Sequence, residues 1–150
     1  MSASRWNRID VAADTGKPFD KAGFAWAVTE NGVSNGCCMV ELTPSDMQKI
    51  GQLYLNTGQW NSRRIVTADW IRAATSPSQP NAEYGLFWWL ESLGGRNAFA
   101  AEGRGGQLIA VVPETRTVIT VTTKPFRGTG LNADDIVYMI NTVITANGAR

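Results

Sequence analysis

Apolar residues recur at helical spacing in a segment that opens and closes with typical capping residues. The stripe consists of Met47, Ile50, Leu53 and Tyr54. Thr43 suits the N-cap position and Pro44 the first helical position, while the sequence Asn-Thr-Gly at 56–58 is typical of a helix end. Gly51 lies inside this predicted helix, where it costs about 1 kcal/mol relative to Ala. We therefore expect another element to pack closely against the helix at Gly51.

Two further segments predict helices. The second begins after Thr67, a good N-cap, and ends before Pro77. The third begins after Asn132 and is the strongest of the three, because its apolar residues follow the spacing of one helix face. These residues are Ile136, Met139, Ile140, Val143 and Ile144.

Between the second and third helices the pattern changes to that of β-strands. The aromatic run YGLFWWLES starts at Tyr84, AFAA and QLIAVVP follow, and residues 116–124 alternate between two faces. Because short connections allow antiparallel but not parallel pairing, we expect a meander of three or four strands. The last helix should lie across this sheet, which gives an α+β fold class in a single domain, 1–150. Residues 1–42 carry many turn residues and predict a loop-rich lead-in.

The composition limits the possible functions. The 150 residues are 43% hydrophobic and carry a formal net charge of +1, so we expect no nucleic-acid and no membrane partner. Histidine is absent, which excludes Ser-His-Asp and Cys-His catalysis within the chain and zinc bound through histidine.

Cys37 and Cys38 are adjacent, and we favour the interpretation that they are buried thiols over the interpretation that they are a reactive pair. We expect neither a cofactor nor a metal. No apolar targeting segment opens the sequence, and the compartment stays open.

Aromatic and glycine residues mark two further features. Four of the six tryptophans, Trp60, Trp70, Trp88 and Trp89, are expected to pack in the core or to line a cleft. Gly105 and Gly106 stand directly before an apolar strand, where glycine marks a tight turn, a packing contact or the close approach of a ligand.

Several segments, in this order, resemble a known family. They are ELTPSDMQKIGQLYLNTGQWNSRRIVTADWIRAAT, YGLFWWL and GRGGQLIAVVPETRTVITVTT. Together they are similar to the C-terminal portion of the serine β-lactamase-like hydrolases, across roughly residues 33–147. That family includes class C β-lactamases, penicillin-binding-protein-like carboxypeptidases, esterases and 6-aminohexanoate-dimer hydrolases, which transfer acyl groups from amide or ester substrates.

The resemblance implies a substrate-binding segment at Arg104, Gly105, Gly106 and Gln107. Family members carry a Lys-Thr-Gly or His-x-Gly triad on a strand at the edge of the active site, and Arg104, Gly105 and Gly106 stand at the matching place. The backbone N–H of Gln107 would be one of two oxyanion donors. Arg104 departs from the usual Lys or His. Its guanidinium cannot shuttle a proton near neutral pH, so its implied role is to bind a substrate carboxylate.

The catalytic motifs of the family are missing. None of the eight serines has a Lys three residues later, so the Ser-x-x-Lys nucleophile motif is absent. Tyr54, Leu55 and Asn56 match Tyr-x-Asn formally, but Tyr54 lies on an apolar helix stripe and is a core residue in our interpretation. The sequence RGTG at 127–130 is interpreted as a loop before the last helix. We therefore predict no catalytic residue in this chain.

Three functions remain open from the sequence. The first is a C-terminal fragment or split half of a serine hydrolase that is inactive alone, and the second is a non-catalytic interaction module that keeps the cleft wall. The third is an independent enzyme that uses other groups, such as Glu102 with Tyr84, or the Cys37 thiol. In the family, preceding strands pair with the strand at 116–124. Without them its edge would be open to self-association, strand exchange or a separate N-terminal half.

Overall fold

The fold consists of three helices and eight strands in the described part of the chain. The computed structural model describes residues 25–27, 32–34, 36, 40–103, 105–123 and 132–148. The helices are α1 (Pro44–Leu55), α2 (Ala68–Ala74) and α3 (Ala133–Gly148). The strands are β1 (Ala25–Trp26), β2 (Val40–Glu41), β3 (Gln59–Trp60), β4 (Arg63–Arg64), β5 (Trp89–Leu93), β6 (Arg96–Gly103), β7 (Gln107–Val112) and β8 (Thr117–Val121).

One antiparallel sheet organises the molecule, with strand order β5-β6-β7-β8. The remaining strands form two short antiparallel pairs, β1 with β2 and β3 with β4. The predicted α+β class and four-stranded meander are therefore confirmed. Most of residues 1–42 lie outside the described residues, so the loop-rich lead-in stays a prediction.

The two faces of the sheet are covered by different helices, because side chains alternate between faces along each strand. On one face, α3 packs Ile136 and Ile140 against Leu93, Ala98, Ala100, Leu108, Ala110 and Val112. On the other face, α1 and its neighbours cover Phe99, Ile109 and Val111 with Met47, Leu55, Ala74 and Trp88. The core is thus a helix–sheet–helix sandwich.

The first two helices begin and end as their sequences predict. The Thr43 hydroxyl accepts a hydrogen bond from the Asp46 backbone N–H at 3.2 Å, and the Thr67 hydroxyl accepts one from the Trp70 N–H at 3.2 Å. At the end of α1 the Gly58 N–H donates to the Leu53 carbonyl at 2.8 Å. Gly51 lies against the sheet, as its position inside the helix indicated.

Helix α3 is capped as predicted but buries a narrower stripe than its sequence indicates. The Asn132 side chain accepts from the Asp135 N–H at 2.8 Å, and the Asp135 carboxylate accepts from the Asn132 N–H at 3.2 Å. Met139 and Val143, expected on the buried face, are 46% and 59% exposed. The Asn141 side chain accepts from the Gly94 N–H at 2.7 Å, and this hydrogen bond joins α3 to the turn after β5. The α3 flank above β8 is left open.

The predicted strand from Tyr84 is wrong in its first half, since β5 begins only at Trp89. The Gly85 N–H donates to the Trp88 carbonyl at 2.8 Å, and Phe87 has a φ of 66°, so the chain turns back on itself before the strand. The predicted strand at 116–124 is likewise shorter, Thr117–Val121, because Arg116 belongs to the preceding turn with a φ of 52°.

The tryptophans divide between the core and the surface. Trp60 and Trp88 are buried, as expected, whereas Trp70 and Trp89 are exposed. Trp70 lies on the short helix α2, of which only Ile71 and Ala74 are buried. The expected core packing is therefore confirmed for Trp60 and Trp88, whereas Trp70 and Trp89 do not pack in the core.

Candidate functional site

The glycines of the candidate site form the turn between β6 and β7. Gly103, the last residue of β6, is opposite Gln107, the first residue of β7, and the Gly106 N–H donates to the Gly103 carbonyl at 3.2 Å. Gly105 and Gly106 have φ angles of 93° and 96°, which only glycine adopts readily. Such φ angles belong to a tight turn, which is one of the three alternatives that the sequence left open for Gly105 and Gly106. Arg104 lies outside the described residues.

Thr123 fixes this turn to the chain that follows β8. Its hydroxyl donates to the Gly105 carbonyl, and the Gln107 side-chain amide donates to the Thr123 carbonyl at 3.4 Å. A Cβ on Gly103 would lie 3.0 Å from the Gln107 Cβ, so this glycine leaves room for the opposite side chain. The φ angles of the turn and the space needed by Gln107 are thus sufficient to explain why glycine stands at positions 103, 105 and 106. Substrate binding by Arg104, Gly105, Gly106 and Gln107 stays a prediction.

Two half-buried carboxylates lie on the α3 face of the sheet, beyond the apolar core. Glu91 is two residues from Leu93 and Glu102 two residues from Ala100, and both apolar residues pack against α3. Burial raises the pKa of Glu102, and the charges of Glu91 and then Asp134 raise it further. The pKa of Glu91 is raised for the same reasons. Burial is the largest cause, and the charges of Asp134 and then Glu83 raise the pKa further.

This carboxylate pair is the feature that sequence reasoning missed, since only Glu102 drew attention there. The strand register alone could have placed Glu91 on the same face. Tyr84, the suggested partner of Glu102, packs edge-on against Trp89 with ring centroids 4.7 Å apart. Catalysis by Glu102 with Tyr84 stays a prediction. Cys37 and Cys38 lie outside the described residues.

Tyr54 is a packing residue, as the apolar stripe of α1 predicts. Its ring lies 4.4 Å from the Trp88 ring and 6.3 Å from the Phe99 ring, measured between centroids. These contacts place it in the cluster that holds α1 on the sheet. The formal match to a Tyr-x-Asn motif therefore has a structural explanation.

A polar cleft of about 400 Å³ lies at the end of α1, beside the β3–β4 hairpin. Arg116 donates to the Asn56 side-chain oxygen at 3.1 Å, and Arg64 donates to the Thr57 carbonyl at 3.0 Å. Both cations thus lie near the negative end of the α1 dipole, although their acceptors belong to residues that follow the helix. These contacts explain the arginines as ties between the end of α1 and the neighbouring turns.

The described residues show no built metal site and no spanning helix. Within residues 25–148, as far as the structure describes them, no three acidic, Cys or His side chains converge to hold a metal. No helix in the same part of the chain is long and apolar enough to cross a bilayer.

The fold is similar to a solved structure of a hydrolase. That structure is a Bacillus anthracis protein provisionally named a 6-aminohexanoate-dimer hydrolase, with a TM-score of 0.66 and 21% sequence identity. The match covers 84% of this chain and 34% of that protein, so the chain spans about a third of its length. No protein-family model and no curated protein matches the chain. The chain therefore has an α+β fold that is similar to about a third of that solved structure.

Proposed function

We propose that this chain forms one wall of the substrate cleft of a β-lactamase-related serine hydrolase that acts on amide or ester substrates. The observation that carries the proposal is the match of 84% of the chain to the Bacillus anthracis protein at a TM-score of 0.66. The ordered sequence segments resemble the same family independently of that comparison. Because fold alone does not fix function, the proposal rests on the two together.

The candidate cleft wall is the β6–β7 turn and the start of β7. Gly105 and Gly106 have no side chains to obstruct a substrate that lies along the turn, and Gln107 carries the N–H proposed as an oxyanion donor. The Thr123 contacts to Gly105 and Gln107 hold these groups in place before a substrate arrives. A fixed donor suits acyl transfer, because it needs no rearrangement as charge develops on the carbonyl oxygen.

The nucleophile and its base must come from outside these 150 residues. A serine hydroxyl without an adjacent base is a weak nucleophile, and no serine here has the Ser-x-x-Lys spacing. We therefore propose that the chain alone does not transfer acyl groups. The alternative function, a non-catalytic interaction module, also has no catalytic serine within this chain. It differs from the proposed function because no second polypeptide supplies the nucleophile and its base.

The reading frame upstream of the Met1 codon separates these two functions. A frame encoding Ser-x-x-Lys, in the same or an adjacent gene, should restore hydrolysis of p-nitrophenyl acetate when it is joined to this chain. Its Ser→Ala variant is the matched control. If no such frame exists, or if the joined protein folds and stays inactive, the interaction module becomes the better account.

A further inference from the structure

Three separate turns enclose the polar cleft at the end of α1. Its volume of about 400 Å³ lies within the usual range of small-molecule sites. The segment after α1, the β3–β4 hairpin and the β7–β8 turn supply the polar lining, which is Asn56, Thr57, Gln59, Asn61, Ser62 and Arg116. The β7–β8 turn and the β6–β7 turn lie at opposite ends of β7, so the cleft and the candidate cleft wall are separate surfaces.

Two arginines give the cleft a positive charge, and no described carboxylate pairs with either of them. Arg116 lines the cleft, and Arg64 borders it by donating to the Thr57 carbonyl at 3.0 Å. Glu114, two residues before Arg116, pairs with Arg96 instead. Arg64 donates to the protein through its Nη1 and Arg116 through its Nη2. The other nitrogens of each planar guanidinium are left to bind a carboxylate or a phosphate.

The remaining polar groups of the lining are neutral. Gln59, Asn61 and Ser62 are exposed, so their amide and hydroxyl groups are open to a ligand. Amides and hydroxyls both donate and accept hydrogen bonds, as the hydroxyl groups of a ligand do. The cleft therefore suits a molecule that carries hydroxyl groups beside its anionic group.

The backbone around the cleft is strained at four residues. The φ angles are 51° at Thr57, 44° at Asn61, 62° at Ser62 and 52° at Arg116. Phe87 is the only other non-glycine residue in the described part of the chain with a positive φ. Asn61 and Ser62 are the central residues of a two-residue hairpin, where Asn-Gly is the favoured pair. Strained residues of this kind cluster at ligand sites, and Ser62 places a hydroxyl where glycine would offer none.

We propose that this cleft binds a small organic anion in which a carboxylate or a phosphate is attached to a body rich in hydroxyl groups. Arg116 and Arg64 bind the anionic group, and Gln59, Asn61 and Ser62 bind the hydroxyl groups. None of the described residues that line the cleft is acidic. The two guanidinium charges exceed the partial charge of about −0.5 at the end of α1, so the cleft stays positive.

Isothermal titration calorimetry of the full chain tests the proposal with gluconate, glucose 6-phosphate, glucose and inorganic phosphate. We expect saturable binding of at least one of the two hydroxylated acids, and weaker binding as salt is added. The acid that binds identifies the anionic group as a carboxylate or a phosphate. Glucose, which has no charge, should not bind, and inorganic phosphate, which has no hydroxyl-rich body, should bind more weakly than that acid.

Two variants test the residues of the cleft. Arg116→Gln should raise the dissociation constant about tenfold, because charge-assisted hydrogen bonds are lost. Arg72→Gln is the matched control, since Arg72 is exposed on α2 and pairs with Asp69 outside the cleft. Ser62→Gly should weaken binding about threefold without lowering the thermal midpoint, because it removes a hydroxyl but relieves the positive φ. A purely structural role of Ser62 predicts no change in affinity.

The proposal would be overturned if neither hydroxylated acid binds, or if glucose or inorganic phosphate binds as tightly as they do. Unchanged affinity in a folded Arg116→Gln protein, or an equal loss in Arg72→Gln, would contradict it as well. Circular dichroism checks the folding of each variant, and if Arg116→Gln does not fold, Ser62→Gly decides. None of these readouts depends on hydrolysis, so the proposed function stands or falls separately.

Discussion

Gly51 of α1 lies so close to Val118 of β8 that a Cβ on the glycine would be 2.5 Å from the Val118 Cγ1. The same hypothetical Cβ would be 3.0 Å from the Ile109 Cγ2 on β7. At Gly51 the helix therefore contacts the sheet through a residue with no side chain. The distance between α1 and the two last strands depends on this glycine.

Gly51→Ala should destabilise the protein, although Ala is the better helix former by about 1 kcal/mol. Overpacking against the stiff, β-branched Val118 should cost about 1–3 kcal/mol and outweigh that gain. Thermal unfolding measures the effect. Adding Val118→Ala should recover part of the lost stability relative to Val118→Ala alone. A stabilised Gly51→Ala protein would show that α1 can move away from the sheet at little cost.

Gly105→Ala and Gly106→Ala should each lower the free energy of unfolding by about 1–3 kcal/mol, because their φ angles of 93° and 96° disfavour any L side chain. At this chain length the loss corresponds to roughly 2–4 °C of thermal midpoint per kcal/mol. Gly36→Ala is the control, since no atom of the described residues would lie within 4 Å of a Cβ at Gly36, which has no left-handed φ. Unchanged midpoints for both turn variants would contradict the turn geometry.

Glu102→Gln should stabilise the protein at neutral pH and weaken the dependence of its stability on pH. The folded pKa of Glu102 lies above its ordinary value of 4.5, so the folded state binds more protons than the unfolded state between those two values. Stability should therefore rise as the pH falls through the folded pKa and decline as the pH rises through it. Thermal midpoints at mildly acidic and neutral pH measure this slope.

Glu91→Gln should have an effect of the same sign, because its pKa is raised by burial and by acidic neighbours too. Glu114→Gln is a useful contrast, since Glu114 is exposed and accepts from Arg96 at 3.2 Å. Equal effects of the Glu102 and Glu114 substitutions would argue against a special environment for Glu102.

Local sequence signals predicted the elements whose causes are local. Thr43, Thr67 and Asn132 mark the helix starts correctly, because an N-cap is decided within four residues. The alternation in Thr117–Val121 likewise predicts β8. Even the close approach at Gly51 could be expected, since a glycine in a helix interior is costly without a packing reason.

The remaining features depend on contacts between distant segments. Val143 belongs to an apolar stripe and is nevertheless 59% exposed, because how α3 lies on the sheet depends on distant contacts such as the hydrogen bond from the Gly94 N–H to the Asn141 side chain. The sequence predicted that a strand begins at Tyr84. The chain instead turns at Phe87, whose φ is positive, and no local residue pattern indicates this turn. The sequence at Gly105 and Gly106 was compatible with a tight turn, a packing contact or the approach of a ligand, and only the φ angles of the folded chain show the turn.

Labelling with a fluorescent fluorophosphonate tests the central claim most directly. The purified chain should show no labelled serine, because none of its eight serines has a base at the required spacing. When the chain is joined to a polypeptide that carries Ser-x-x-Lys and is encoded in the same or an adjacent gene, that serine alone should react, and Ser→Ala there should abolish the label. Stoichiometric labelling of any serine within these 150 residues would contradict the account.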